Sequence, residues 1–154
     1  MKKVLFCFIM LTSVGLCLIG CSNDEAIATV DSGLCHTWQM VGYGSDQDFH
    51  VGDGVHDWIS TRITFHSNGT YKSLANNNVG SGKYVCKKNQ LLISDYDATK
   101  TMTDNPIDWF IEETLFRNRT VFRDYIVSDT ELRIYYEGDQ YFKFYRNENV
   151  VIQE

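Results

Sequence analysis

Beyond residue 35 the chain repeats one pattern: short runs in which apolar and polar residues alternate, separated by turn-forming residues. A period of two is the mark of a half-buried strand. Residues 36–43 form the first run, with Trp38 and Met40 on one face. Residues 61–66 place Ile63 and Phe65 against Arg62 and Thr64. Ser67-Asn68-Gly69 then reads as a hairpin turn, since Asn-Gly supplies the positive φ such turns need. Residues 70–75 return with Tyr71 inward. Residues 76–81 read as a second turn, and residues 82–87 as a strand with Tyr84 and Cys86 inward. Residues 90–95 follow with Leu91 and Ile93 inward. Residues 120–127 are ambiguous, because Val121, Phe122, Tyr125 and Ile126 load both faces. Residues 131–136 present Leu132 and Ile134. Residues 140–146 present Phe142 and Phe144, with Tyr141, Lys143 and Tyr145 outward.

These runs predict an all-β fold: an eight-stranded antiparallel up-and-down meander. Closing such a meander into a barrel removes its exposed edges. Its interior is then filled by side chains or holds one small ligand. Residues 44–57 read as an irregular acidic loop. One segment departs from the alternation. Ile107, Phe110, Ile111 and Leu115 fall at helical spacing, Asn105 suits an N-cap and Pro106 the first helical position. A short helix is expected between the fifth and sixth strands, with a ninth strand as the alternative. Trp109 and Phe110 on that helix could cap an open barrel end.

The N-terminus is of another kind. Lys2-Lys3 precede a nearly unbroken apolar run to Ile19, shorter than the ~20 residues a spanning helix prefers. The layout is that of an export signal. It ends in Leu18-Ile19-Gly20-Cys21, followed at once by Ser22-Asn23-Asp24-Glu25. This ending resembles the lipobox of bacterial lipoproteins. The resemblance implies cleavage after residue 20, a diacylglycerol and a further acyl chain on Cys21, and an effectively permanent membrane anchor. Ser22 resembles the sorting signal for the outer membrane. The expected location is therefore the outer membrane, lipid-anchored and facing the periplasm or the cell surface. Residues 21–32 would be the lipidated cysteine and its linker, and residues 33–150 the folded domain.

Charge narrows the partners. The chain carries −6; removing the leader takes away Lys2 and Lys3 and no acid, leaving −8. Such a domain is a poor partner for nucleic acid or anionic headgroups. Of the five cysteines, Cys7 and Cys17 leave with the leader and Cys21 carries lipid. Cys35 and Cys86 remain in an oxidising compartment, either as a disulfide or as two buried free thiols.

Within the domain, Leu34-Cys35-His36-Thr37-Trp38-Gln39-Met40 resembles the first-strand Gly-x-Trp signature of lipocalin-like barrels, with His36 where that family has glycine. Residues 64–71 resemble the second-to-third-strand hairpin of small lipocalin-like lipoproteins, and Gly82-Lys83-Tyr84 their fourth-strand Gly-x-Tyr. Phe144-Tyr145-Arg146 resembles the end of the last strand, where an arginine packs over the first-strand tryptophan. The resemblance implies a lipocalin-like barrel closed at one end by Trp38 and Arg146. It further implies a cup for a small apolar or amphipathic molecule. Met40, Phe65, Tyr71, Tyr84 and Phe142 would line that cup if it is hollow, or form the core if it is filled.

No nucleophile elbow, phosphate loop or Cys-x-x-Cys pair is present. Asp46, Asp48, His50, Asp53 and His56 crowd one loop, but their spacing matches no metal loop. Asp95, Asp97, Asp104 and Asp108 read as surface carboxylates. No catalytic, metal or cofactor site is therefore expected. Two functions compete: a small-ligand carrier, favoured by a hollow interior, and a protein-interaction module, favoured by a packed interior with aromatics left exposed.

Overall fold

Hairpin after hairpin, the alternating runs become one sheet. The computed structural model describes residues 28–51, 61–75, 78–99, 106–118 and 120–148. A 3-10 turn, Ser32–Leu34, leads into β1 (Thr37–Gly44), β2 (Phe49–Val51), β3 (Arg62–Phe65), β4 (Thr70–Ala75), β5 (Asn78–Lys87) and β6 (Gln90–Ala98). Helix α1 (Pro106–Ile111) runs into a π-helical turn, Glu112–Arg117. Strands β7 (Arg123–Val127), β8 (Glu131–Glu137) and β9 (Gln140–Arg146) complete the chain. The order is β2-β1-β3-β4-β5-β6-β7-β8-β9, and β1 also pairs β9, so the sheet closes into a ring.

The nine strands exceed the expected eight because β2 lies within the segment expected to be an irregular loop. Its place explains the count. Strand β9 holds one edge of β1 from Trp38 to Gly44. The other edge is shared: β3 pairs residues 37–39 and β2 pairs residues 42–44, both antiparallel. Two strands thus occupy successive stretches of one ring position.

Three further boundaries differ from expectation, the first being β6, which runs on to Ala98, beyond the expected end at residue 95. Strand β5 begins at Asn78, paired to Ala75, so residues 78–81 are ladder and not turn. Strand β7 begins only at Arg123, with Arg123 and Tyr125 buried and Phe122 and Ile126 exposed. The β6–β7 join is the weak seam of the ring. Its ladder pairs are Gln90 with Asp124 and Leu91 with Arg123. Beyond Leu91, β6 continues to Ala98 against β5, and the helical segment lies over it.

At the expected hairpin, Gly69 takes φ +80. Gly82 matters for a different reason. Strand β6 bulges opposite it: Ser81 pairs Asp97 and Lys83 pairs Ser94, leaving Asp95 and Tyr96 across from one residue. A methyl group at Gly82 would run into the Ser94 carbonyl and the Tyr71 ring. Gly82→Ala is expected to lower the unfolding free energy by about 1–3 kcal/mol, read as a lower urea midpoint. Ser81→Ala on the exposed face is expected to stay within about 0.5 kcal/mol of wild type.

Candidate functional site

The five candidate lining residues do converge. Met40, Phe65, Tyr71, Tyr84 and Phe142 belong to one core cluster, each 2% exposed or less. The space among the described residues is taken up by the chain itself. Ile111, Leu115 and Phe116 enter from the helical segment and are fully buried. The Phe116 ring is stacked between Tyr71 (centroids 5.8 Å, 17°) and Tyr96 (5.4 Å, 19°). Phe110 covers Phe142 at 5.7 Å and meets Tyr43 and Tyr136. Phe65 meets Tyr84 edge-on at 4.8 Å. Of the two aromatics expected to cap the ring, Phe110 packs against the core, while Trp109 faces solvent, 61% exposed.

A buried carboxylate fastens this plug. Glu112 Oε1 accepts from Tyr96 Oη (3.1 Å) and from Arg117 Nε and Nη2 (3.1 and 2.8 Å). Its Oε2 accepts from Asn78 Nδ2 at 3.2 Å. One side chain thereby ties the π-turn to β5 and β6. A buried carboxylate survives only when so engaged. Burial, reinforced by Glu112, pushes the Tyr96 phenol well above its ordinary range. Nearby, buried Arg123 donates to the carbonyls of Thr114 and Val121, and desolvation lowers its pKa. Charged residues read as surface by default, so sequence patterning missed both Glu112 and Arg123. The only available signal was the helical register of residue 112 beside Ile111 and Leu115.

At the end of β1 and β9, Trp38 and Arg146 are direct cross-strand partners. The indole Nε1 donates to the Leu34 carbonyl at 2.9 Å. The guanidinium donates from Nη1 to the Asp129 carbonyl (3.4 Å), and Nη2 meets Glu148 (3.2 Å). Its Nε is buried without a hydrogen-bond partner among the described residues. Beside it lies an open groove of about 350 Å³ lined by Asp129, Thr130, Arg146, Asn147 and Glu148. Two carboxylates there make it a poor anion site.

Cys35 and Cys86 carry free thiols in this structure. Residues 28–32, expected to be linker, touch the sheet: Thr29 exchanges both backbone hydrogen bonds with Cys86 (2.8 and 2.7 Å), and Tyr125 donates to Asp31 Oδ2 at 2.7 Å. The anchor residue Cys21 lies outside the described residues.

The acidic loop is partly ordered by the outer face. Asp46 accepts from Tyr141 Oη (2.7 Å) and Arg133 Nη1 (3.0 Å), and Phe49 stacks on Tyr141. Tyr141 does point outward, and the β1–β2 hairpin buries it there. Asp53 and His56 lie outside the described residues. Among the described residues no three His, Cys, Asp or Glu side chains gather as a metal site. Asp95 and Asp97 are exposed, Asp95 being paired with Lys83 at 3.0 Å.

No protein-family model and no curated protein sequence matches this chain. Solved structures do. A DUF4847-family protein from Bacteroides vulgatus superposes with TM-score 0.54 at 16% identity, covering 77% of this chain and 97% of that one. A protein from Burkholderia xenovorans gives TM-score 0.56 at 14% identity, covering 75% and 83%. A third protein, solved by NMR, gives 0.50 at 15%, covering 73% and 90%. At such identities the likeness shows the fold alone.

Proposed function

We propose that the protein is a non-catalytic, lipid-anchored interaction module of the outer membrane, a lipocalin-like barrel that docks another protein. The observation that carries this is the packed interior: Phe116 occupies the place between Tyr71 and Tyr96 that cargo would take. The apolar surface available for recognition is outside. Trp109 on α1 is 61% exposed, and Phe122, just before β7, and Ile126, on the outer face of β7, are exposed as well. Exposed aromatics of this kind are common anchors at interfaces. The acidic charge favours a partner with basic groups around an apolar pocket. The anchor rests on the lipobox resemblance ending at Cys21, which would hold the module at the membrane surface.

The test is site-specific photocrosslinking of the full-length protein in its host. A photoreactive side chain at position 109 or 122 is expected to give one discrete adduct with another protein. The same group at position 72, on the far outer face of β4, should give none. Absence of an adduct at 109, 122 and 126 together would reject the docking reading.

A second reading is favoured by one feature: the plug is the connection between β6 and β7, which pair at two positions among the described residues. If α1 and the π-turn swing out, the five aromatic and apolar residues become the lining of a cup for a small apolar ligand. Native mass spectrometry separates the two readings. A non-covalent mass excess that is lost on denaturation supports the carrier; the bare protein mass supports the packed module.

A further inference from the structure

We propose that Cys35 and Cys86 are a disulfide-forming pair that clamps residues 28–35 onto β5. Both cysteines are engaged by residues 29–31. Cys35 Sγ lies 3.5 Å from the Asp31 carbonyl and 3.6 Å from Tyr84 Oη. Cys86 lies on β5 two residues from Tyr84, and Tyr125 donates to the Asp31 carboxylate at 2.7 Å. Both thiols act on the Tyr84 phenol. The backbone around them is already fixed. The Thr29–Cys86 bridge holds one side, and the 3-10 turn capped by Asp31 (Gly33 N to Oδ1, 2.8 Å) brings Cys35 back toward the same strand. The proposal requires that the bridge form without breaking the Thr29–Cys86 backbone pairing.

Exposure sets the order of events. Cys35 is partly exposed and Cys86 is buried. The oxidant is a small disulfide, such as glutathione disulfide or a thiol–disulfide oxidoreductase of the envelope. The Cys35 thiolate attacks one oxidant sulfur, forming a mixed disulfide and expelling the first thiol. The Cys86 thiolate then attacks the Cys35 sulfur and expels the second. Two protein thiols and one disulfide become one protein disulfide and two small thiols, with one proton lost from each cysteine and one gained by each leaving thiolate. Burial pushes the Cys86 thiol up, so the second step accelerates as pH rises toward the thiol range.

The consequence is mechanical. Residues 28–35 join the sheet to the anchor side of the chain, and a bond to β5 would hold that junction against fraying.

The experiment treats the full-length protein, folded in detergent, with glutathione disulfide and maps tryptic peptides without reduction. The expected result is a linked pair containing Cys35 and peptide 84–87, with a higher Tm than the reduced protein. Cys86→Ala should halt with glutathione on Cys35, and Cys35→Ala should leave Cys86 unmodified. Persistent glutathione on wild-type Cys35 with no linked peptide would overturn the proposal, as would the absence of reaction at either cysteine. The wild-type map alone decides the matter if a variant fails to fold.

Discussion

Phe116→Ala is expected to lower the unfolding free energy by about 3–5 kcal/mol, the range for deleting a fully buried phenylalanine. The ring is stacked on two aromatics at once, and its neighbours Ile111 and Leu115 are equally buried. Collapse around the void is resisted because Tyr96 is tied to Glu112 and Tyr71 sits tightly against Gly82. Urea unfolding of wild type, Phe116→Ala and Phe116→Leu checks this, with the leucine variant losing less because it refills part of the space. The same variants bear on function. A saturable site for an apolar fluorescent dye that appears only in Phe116→Ala marks the interior as core. A wild-type protein that takes up the dye equally well, or a loss below about 1 kcal/mol, means the plug is readily displaced. The carrier reading then replaces the docking one.

Strand alternation was legible wherever one face is wet and the other buried. Ile63, Phe65, Tyr71, Tyr84, Leu91, Ile134, Phe142 and Phe144 all face inward as their parity requires. Legibility failed where tertiary contacts override local chemistry. Asn78, Gly80 and Ser81 look like a turn, yet they extend as strand because the Tyr96 ring packs against Gly80 and Glu112 receives Asn78. Strand β2 has three residues in an acidic stretch, and it forms because Phe49 finds Tyr141 on the outside of the ring. The candidate interior residues were found correctly as a group. Their occupant was not, because Phe116 lies outside the apolar helical set that patterning recognised. The charged residues that hold the plug, Glu112 and Arg123, have no apolar period to betray them.

Above about pH 10 the fold is expected to lose stability steeply, at about 4 kcal/mol per pH unit or more. Three buried phenols lead this loss, and the Tyr136 and Tyr141 phenols, also raised by burial, add to it. Burial raises Tyr84, Tyr96 and Tyr125 far above their ordinary range, with Cys35 reinforcing the first, Glu112 the second and Asp31 the third. Each folded-state pKa is raised, so the contribution is fully present below the unfolded value near 10 and disappears as pH rises toward the folded one. In that window the unfolded chain sheds a proton that the folded chain keeps, which costs about 1.4 kcal/mol per pH unit for each phenol. The Cys86 thiol, also raised by burial, acts in the same direction from a lower starting pH. Urea midpoints measured from about pH 9 to 11 give the slope. Phenolate absorbance should then appear together with unfolding and not before it. Tyr125→Phe retains the ring and removes one titrating proton, so its slope should fall by about 1.4 kcal/mol per pH unit. An unchanged slope in that variant, or phenolate absorbance rising ahead of unfolding, would mean the phenols are reached by water in the folded state. The closed, plugged ring on which the docking reading depends would then be wrong.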